Sequence, residues 1–262
     1  MRDWSFNPDV QIQATVDWIK EYFADNGTPD TKAVIGISGG KDSTIAAALL
    51  VRALGNDRVI GVLMPDGDQK DIEDARTVCE CLNIEHYTIN IKFTTASFIE
   101  DIERNSDLMP NGAVYTNMPA RVRMITLYNI AAMVGGRVVN TGNWSEGWIG
   151  YTTKYGDLAG DFHLFQRLTV REILLMGDAM RELPTHLVHK APADGMSGKT
   201  DADNMGVTYE QIDAYLLEDE MPDAATFHNM NARHKRNLHK RAINLPGPDA
   251  KGRKYGDNEF YW

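Results

Sequence analysis

The sequence has few cysteines, and it lacks a secretory leader, a long apolar run and an excess of positive charge. Its two cysteines, Cys79 and Cys81, fall in one predicted helix, where their side chains point about 200° apart. This geometry suits neither a disulfide nor a metal site. Because no segment resembles a signal peptide or approaches the length of a membrane span, we expect a cytoplasmic protein in a reduced setting.

The charge of the chain also limits its partners. Lys and Arg total 27 against 37 Asp and Glu, which gives a formal net charge of −10. Such a balance opposes general affinity for nucleic acid or anionic membrane, and we expect neither as a partner. A length of 262 residues suits one substantial core, so we expect a single domain over residues 1–262.

Short aliphatic runs alternate with helical patterns along the chain, at residues 33–37, 58–64, 86–91 and 137–141. Strands that alternate with helices predict an α/β fold, with a doubly wound parallel sheet and helices on both faces. Ligands bind such sheets beyond the carboxyl ends of the strands. We therefore expect the polar loops after the first, second and fourth runs to face one pocket.

Apolar periodicity predicts further helices at residues 4–23, 117–134, 169–182, 209–217 and 224–241. Thr208 is a suitable N-cap for the fourth of these. Residues 184–206 are rich in Gly, Asp and Pro, and we expect a mobile surface loop there that can act as a lid. From residue 246 the chain has little periodicity, which predicts an irregular C-terminal tail.

The loop after the first predicted strand reads Ser-Gly-Gly-Lys-Asp-Ser at residues 38–43. A glycine-rich turn before a helix can bind phosphate, because the first helical N–H groups have no intrahelical partner and the helix dipole adds positive charge. The Walker spacing is absent. A carboxylate beside a polyphosphate is repulsive unless a divalent cation joins them, so Asp42 indicates Mg²⁺. The alternative is an ordinary strand-to-helix turn, with Asp42 at the helix start.

This loop resembles the pyrophosphate loop of the N-type ATP pyrophosphatases, which cleave ATP between the α and β phosphates. The resemblance implies a fold like that of the adenine-nucleotide alpha-hydrolases. It also implies that ATP is bound by the loop and by the end of the preceding strand. The residues assigned to ATP in this way are Gly36, Ile37, Ser38, Gly39, Gly40, Lys41, Asp42 and Ser43.

Two later segments make the resemblance more specific. Residues 140–146 read Asn-Thr-Gly-Asn-Trp-Ser-Glu, and residues 150–157 read Gly-Tyr-Thr-Thr-Lys-Tyr-Gly-Asp, with Asp161 beyond them. In this order the segments resemble those of ammonia-dependent NAD synthetases. The resemblance implies Mg²⁺-dependent amidation of deamido-NAD with ATP and ammonia, through an adenylated nicotinate carboxylate, with release of AMP and pyrophosphate.

The resemblance also assigns residues to ligands. It implies that Glu146 joins Asp42 in binding Mg²⁺, whereas the residue alone reads more readily as a helix-start carboxylate. It implies that Thr141 contacts ATP. The residues that it assigns to deamido-NAD are Arg121, Lys154, Asp161, His234 and Lys235. By themselves the basic residues would be ordinary charges on helices, and the base that deprotonates ammonia stays open between solvent and Asp161.

A homodimer is a further implication, with the helices predicted at 4–23 and 117–134 as the contact elements. Their apolar residues Ile12, Val16, Met124 and Leu127 could equally form the core of one subunit. Sequence alone does not choose between these two positions, because an amphipathic stripe looks the same in both. We therefore carry the dimer forward as an expectation.

The chain departs from the family at Val170, where a lysine usually reaches the ATP phosphates. Arg171 and Arg167 are the candidates to replace it, although neighbouring residues on a helix point about 100° apart. A second departure is Pro192, where the family has a hydroxyl residue. Ser197 or Thr200 could supply that hydroxyl.

These two departures leave a catalytically silent nucleotide-binding homologue as one alternative. Another N-type ATP pyrophosphatase that amidates or thiolates a different substrate is the second alternative. A tRNA-modifying enzyme would be expected to carry a basic surface and cysteine pairs, which this chain lacks. A glutamine-dependent enzyme would need an additional amidase domain, for which we see no room. We therefore expect free ammonia as the nitrogen donor.

Overall fold

The structure is a computed structural model that describes residues 6–69, 72–190, 200–218 and 220–241. Its sheet has the order β3-β2-β1-β4-β5, and all neighbouring strands are parallel. The five strands are β1 (Lys32–Gly36), β2 (Val59–Leu63), β3 (Glu85–Thr88), β4 (Gly136–Asn143) and β5 (Phe162–Phe165). The predicted doubly wound α/β fold is confirmed. The chain runs outward from β1 to β3 and then returns to the other side of β1, so the strand order reverses between β1 and β4.

Eleven helices are present in the described residues. They are α1 (Pro8–Asp25), α2 (Lys41–Leu54), α3 (Ile72–Cys81), α4 (Lys92–Asn105), α5 (Gly112–Val134), α6 (Trp144–Ile149), α7 (Val170–Ala179), α8 (Thr185–Val188), α9 (Asp201–Met205), α10 (Tyr209–Leu216) and α11 (Ala224–Arg236). Two 3₁₀ turns (Asn56–Arg58 and Leu238–Arg241) complete the described elements. Among these helices, none is long and apolar enough to cross a membrane.

Helices cover both faces of the sheet, as predicted. Side chains alternate between the faces along β1: Ala33 and Ile35 pack with residues of α1, α2 and α7, whereas Val34 packs on the side of α5. Ile12 and Val16 of α1 are each only 5% exposed and belong to the first of these clusters. These two residues therefore belong to the core of one subunit. The sequence had allowed either this position or a place in a dimer contact.

The prediction of an irregular loop at residues 184–206 is wrong in part. Leu187 and Val188 lie in α8 and are buried in the main core, and Met205 at the end of α9 is buried in a smaller cluster. These apolar side chains order both ends of the segment, because their burial offsets the entropy of fixing the chain. Residues 191–199 and the tail from 242 lie outside the described residues. Thr208 is confirmed as the N-cap of α10, since its side chain accepts a hydrogen bond from Gln211 N–H.

The fifth strand was missed from the sequence. It reads Phe-His-Leu-Phe, and a run of four residues that contains a histidine is too short and too mixed to stand out as a buried strand. All four residues are nevertheless buried, since β5 pairs with β4 while α1 covers it. The pairing therefore comes from contacts with residues that are distant in the sequence.

Candidate active site

The candidate site lies at the carboxyl ends of β1 and β4, the neighbouring strands between which the order reverses. Asp42 is in the first turn of α2, which follows β1, and Glu146 is in the first turn of α6, which follows β4. Carboxyl ends of parallel strands meet at one edge of a sheet. The two acidic side chains are far apart in sequence but close enough in the fold for the charge of Asp42 to raise the pKa of Glu146, after the effect of burial.

The loop at residues 38–43 is held by its own serines. The hydroxyl oxygens of Ser38 and Ser43 are 3.1 Å apart, and Ser43 Oγ donates to the carbonyl of Gly40 at 3.1 Å. Gly40 is the N-cap of α2, and no side chain caps this helix. The first N–H groups of α2 therefore face the loop, where they can bind an anion.

The oxygens of Asp42 indicate that this site can take a divalent cation. Asp42 Oδ2 accepts a hydrogen bond from Lys41 Nζ at 2.7 Å, but Oδ1 is buried and has no hydrogen-bond partner. A buried carboxylate oxygen without a partner is costly, and a cation would satisfy it. In the described ranges no group of three or more His, Cys, Asp and Glu residues could hold a metal. Two carboxylates completed by phosphate oxygens and water suit Mg²⁺.

Glu146 also stabilises the start of α6. Its Oε2 accepts from Asn143 N–H at 3.2 Å, while Asn143 Oδ1 accepts from Glu146 N–H at 2.9 Å, which together form a capping box. The box uses one of the two carboxylate oxygens. Burial, and next the charge of Asp42, raise the pKa of Glu146, whereas Lys41 lowers it. The helix-start role that the sequence suggested is thus present, and it leaves room for a metal role.

The charge of Lys41 acts on both carboxylates, since its Nζ lies 2.7 Å from Oδ2 of Asp42 and it lowers the pKa of Glu146. The side chain of Lys41 is only 6% exposed. Burial disfavours the charged form, but the surrounding carboxylates outweigh that effect and raise the pKa of Lys41. Among these carboxylates, Asp42 raises the pKa of Lys41 most, followed by Glu146. The ammonium is therefore charged within the site.

Residues assigned to deamido-NAD come together on the neighbouring surface. Arg121 Nε donates to the carbonyl of Lys154 at 3.3 Å, and Lys154 Nζ donates to the carbonyl of His239 at 2.8 Å. His234 packs on α6, with Nδ1 3.0 Å from the carbonyl oxygen of Trp148. Lys235, beside it, is exposed. Arg121 and His234 thus form hydrogen bonds with the segment that follows Glu146, and Lys154 belongs to that segment.

Asp161 lies elsewhere. It precedes β5, and its Oδ2 accepts from Val138 N–H at 2.7 Å near the start of β4. Its carbonyl accepts from the hydroxyl of Tyr22 at 3.1 Å. Because the amino end of a parallel strand lies away from the carboxyl edge, the structure does not bring Asp161 to Asp42. Thr141, within β4, is half-buried. The ligand roles of Asp161 and Thr141 stay predictions.

The departures from the family pattern have partial explanations. Val170 is 5% exposed and packs in a cluster with Tyr209 and Ile212, so an apolar side chain suits its surroundings. Arg171 N–H donates to Asp213 Oδ2 at 2.7 Å, which fixes the start of α7. Compensation by Arg171 or Arg167 stays a prediction. Thr200 caps α9 with its hydroxyl, whereas Pro192 and Ser197 lie outside the described residues.

Two basic residues that support the site were not singled out from the sequence. Arg123 is half-buried and donates from Nε to the carbonyl of Met64 at 3.1 Å, which joins α5 to the end of β2. Lys240 Nζ donates to the carbonyls of Gly150 and Thr152 at 2.8 and 2.7 Å. Arg123 is two residues from Arg121, which the resemblance did assign. Lys240 had no signal, because its partners are distant in sequence.

His163 gives the fold a dependence on pH that can be measured. Its Nε2 donates to the carbonyl of Gly142 at 2.7 Å, and burial lowers the pKa of His163 to about 4. As pH falls from about 6.5 to about 4, His163 therefore becomes protonated in the unfolded chain but stays neutral in the native protein. The native state should lose about 3 kcal/mol of stability through this residue over that window.

The variant His163→Gln keeps a donor for Gly142 but does not titrate. It should therefore lose about 3 kcal/mol less stability than the unaltered protein between pH 7 and pH 4, as measured by urea unfolding. Burial raises the pKa of Asp157 and of Asp213 to about 6, and these groups act in the opposite direction as pH falls. They are present in both proteins and cancel in the comparison. Equal pH dependence of the two proteins would refute the role of His163.

Comparison with known proteins gives one consistent family. The family model described as NAD synthase matches residues 11–244. The NH(3)-dependent NAD(+) synthetase of Pyrococcus horikoshii is 39% identical over 209 residues, which is 79% of this chain and 77% of the relative. NMN synthetase from Francisella tularensis has a similar structure, with a TM-score of 0.83 and 33% identity over 92% of this chain and 98% of that one. NH3-dependent NAD synthetase from Campylobacter jejuni has a TM-score of 0.72 and 28% identity, with the same coverage.

Proposed function

The chain belongs to the NAD synthase family, and from this premise we propose that it converts deamido-NAD to NAD with ATP and ammonia. The observation that carries the proposal is the meeting of Asp42 and Glu146 beside an uncapped helix start, where a nucleotide triphosphate and Mg²⁺ can be held together. We place the enzyme in the cytoplasm, a setting that suits its unpaired cysteines, Cys79 and Cys81.

The reaction has two steps. An oxygen of the nicotinate carboxylate forms a bond to the α phosphorus of ATP, and the bond from that phosphorus to the bridging oxygen of the β phosphate breaks, which releases pyrophosphate. The nitrogen of ammonia then attacks the acyl carbon, AMP leaves, and the nitrogen loses a proton to give the amide. No described residue is assigned as the base for that proton.

The residues serve mainly to position the reactants and to balance negative charge. The first N–H groups of α2 would hold the phosphates of ATP, and Arg121 and Lys154 would hold the anionic dinucleotide. Asp42 and Glu146 would hold Mg²⁺, which neutralises phosphate charge when bound. This division places ATP at the ends of β1 and β4 and the dinucleotide beside α5.

The nitrogen donor provides a direct test. The purified chain should turn over repeatedly, with release of AMP and pyrophosphate, only when deamido-NAD, ATP and ammonium are all supplied, because without ammonia the reaction stops after the first step. Its rate at fixed total ammonium should rise with pH, since NH₃ replaces NH₄⁺. Glutamine free of ammonia should not support the reaction. Efficient use of glutamine by this chain alone, or no product with ammonium, would contradict the proposal.

Amidation of a mononucleotide is a second candidate function. The TM-score is 0.83 against the NMN synthetase and 0.72 against the NAD synthetase of Campylobacter jejuni, at equal coverage. An amidating enzyme that forms NMN would take nicotinate mononucleotide, which carries the same carboxylate without the adenylate half. The two substrates should be offered together with ATP and ammonium. The product that accumulates faster at equal concentrations identifies the preferred substrate.

The dimer is the next part of the proposal. Large apolar side chains of α4, α5 and the loop between them stand exposed: Phe93, Phe98, Ile102, Leu108, Met109, Tyr115, Ile125 and Met133. Only three residues of α5 are buried. A second copy of this chain would cover such a face. We expect sedimentation to give twice the chain mass of 29.3 kDa.

A matched pair of variants tests where the dimer forms. Ile125 is 51% exposed on α5, and Val10 is 53% exposed on α1. Ile125→Asp should weaken the dimer by about a hundredfold, because it buries an unpaired carboxylate in the contact. We place the contact on the exposed face of α4 and α5, and not on α1, because Ile12 and Val16 of α1 are buried in the core of one subunit. Val10→Asp adds the same charge on α1 and should therefore leave the dimer unchanged. An active monomer at working concentration would refute the dimer.

A further inference from the structure

The position of Lys41 is unusual for a lysine. It is the first residue of α2 and only 6% exposed, whereas lysine normally extends its ammonium into water. Its Nζ lies 2.7 Å from Oδ2 of Asp42, the next residue along the same helix. Neighbouring residues on a helix point about 100° apart, so both side chains must turn toward each other to meet. A cation also opposes the dipole at a helix start. The surrounding acidic groups, not the helix, hold this ammonium in place.

An aromatic ring and further acidic groups also lie near the ammonium. Lys41 Nζ lies 5.5 Å from the centre of the Tyr209 ring, within the range of a cation–π contact. The hydroxyl of Tyr209 donates to Asp201 Oδ2 at 2.9 Å. Glu146 and Asp201 both add to the negative potential at the ammonium. One lysine therefore serves as the positive charge for a pocket with three carboxylates.

This arrangement means that a cation already occupies part of the proposed magnesium site. Lys41 takes one oxygen of Asp42, and Asp42 Oδ1 is left buried without a hydrogen-bond partner. A divalent cation and an ammonium repel each other strongly at such short range. Magnesium at Oδ1 of Asp42 would lie beside the ammonium at Oδ2, so its binding favours movement of the ammonium away from Asp42. The phosphates of ATP would give it a new partner at the adjacent start of α2.

We propose that the ammonium of Lys41 occupies the cation position at Asp42 and Glu146 in the nucleotide-free enzyme, and exchanges for the divalent cation when ATP binds. This inference rests on the proposed role of these two carboxylates as metal ligands. The exchange makes divalent metal a poor ligand of the free enzyme and a good ligand of the enzyme with nucleotide. Lys41 thereby couples metal entry to nucleotide entry.

The test measures Mn²⁺ binding to the whole chain by electron paramagnetic resonance, since Mn²⁺ prefers the same oxygen ligands as Mg²⁺. Without nucleotide, Lys41→Met should bind Mn²⁺ at least about tenfold more tightly than the unaltered protein, because a competing unit charge has been removed. With ATP present, the difference between the two proteins should shrink. Lys41→Arg, which keeps the charge, should bind Mn²⁺ as weakly as the unaltered protein.

A matched control is available at Lys190. It makes the same 2.7 Å contact with a carboxylate, that of Asp74, so Lys190→Met removes an equal charge from a neighbouring ion pair. It should not tighten Mn²⁺ binding. Adding Asp42→Asn to Lys41→Met should remove the gain, which would place the metal at Asp42. If Lys41→Met melts before the assay temperature, Lys41→Gln takes its place.

Equal Mn²⁺ affinity of the neutral variants and the unaltered protein without nucleotide would overturn the inference. A gain of the same size in the Lys190→Met control would also overturn it, because the effect would then be general. A difference that persists unchanged in the presence of ATP would refute the exchange. Release of AMP and pyrophosphate by the unaltered protein is measured separately, so failure of the amidation function is distinguished from failure of this inference.

Discussion

Turnover should fall by at least about a hundredfold when either proposed magnesium ligand loses its charge, because a bound metal contributes several kcal/mol to stabilising charge in the transition state. Asp42→Asn keeps the shape of the side chain and can still accept a hydrogen bond from Lys41. Glu146→Gln can retain the capping box of α6, since Gln serves at this position as Glu does. Both variants should therefore fold. The requirement for Mg²⁺ should rise in each of them.

The control for these variants is Glu172→Gln. Glu172 occupies the same position in the capping box of α7 and is 1% exposed, so the chemical change and the local motif are matched. It should leave the Mg²⁺ requirement unchanged. If Glu146→Gln retains full activity at limiting Mg²⁺, Glu146 acts only as a helix cap. Full activity of Asp42→Asn would remove that residue from the site in the same way.

The second large effect is expected at Gly39 in the phosphate loop. Its φ is +76°, and a Cβ there would lie 2.7 Å from Asp74 Cβ and 2.8 Å from Ala75 N, which belong to α3. Gly39→Ala must therefore push the loop away from α3 as well as strain its backbone. A displacement of about 1 Å can reduce catalysis by about a hundredfold. We expect a loss of that order in the ATP-dependent rate.

Gly55 separates backbone strain from the close contact. Its φ is +84°, but a Cβ there would have nothing within 4 Å. Gly55→Ala should cost about 1 to 3 kcal/mol of stability through the backbone alone, and it should leave ATP use intact. Gly39→Ala should melt at a lower temperature than Gly55→Ala and lose ATP use. Equal melting temperatures and equal rates would show that contact with α3 does not shape the loop.

Local patterns in the sequence were sufficient to predict several features. The alternation of aliphatic runs with helical periodicity predicted the parallel α/β sheet, and the glycine-rich loop at residues 38–43 predicted the turn between β1 and the start of α2. Both depend on residues close together in the chain. The meeting of Asp42 with Glu146 could be predicted as well, since parallel strands send their carboxyl ends to one edge.

Packing between distant segments decided the rest. The strand β5 and the ordered helices α8 and α9 depend on apolar contacts across the fold, so their short sequences gave no clear pattern. Asp161 could not be placed from its motif, because its bond to Val138 fixes it near the amino end of the sheet. Periodicity could not assign Ile12 and Val16 to the core or to a dimer contact, because a helix in either position has the same apolar stripe.

The charged residues of the site show most clearly what the sequence predicts and what only the tertiary structure decides. The acidic residues of the site were predicted from the sequence, because a carboxylate beside bound phosphate requires a cation whatever the direction of the side chain. The role of Lys41 depended on where its ammonium lies. Asp42 contacts that ammonium directly, and Glu146, Tyr209 and Asp201 reach it from distant parts of the chain. Sequence thus predicted which groups would carry the chemistry. Only the tertiary structure decided which cation they face, because electrostatic energy depends on the distances that folding creates.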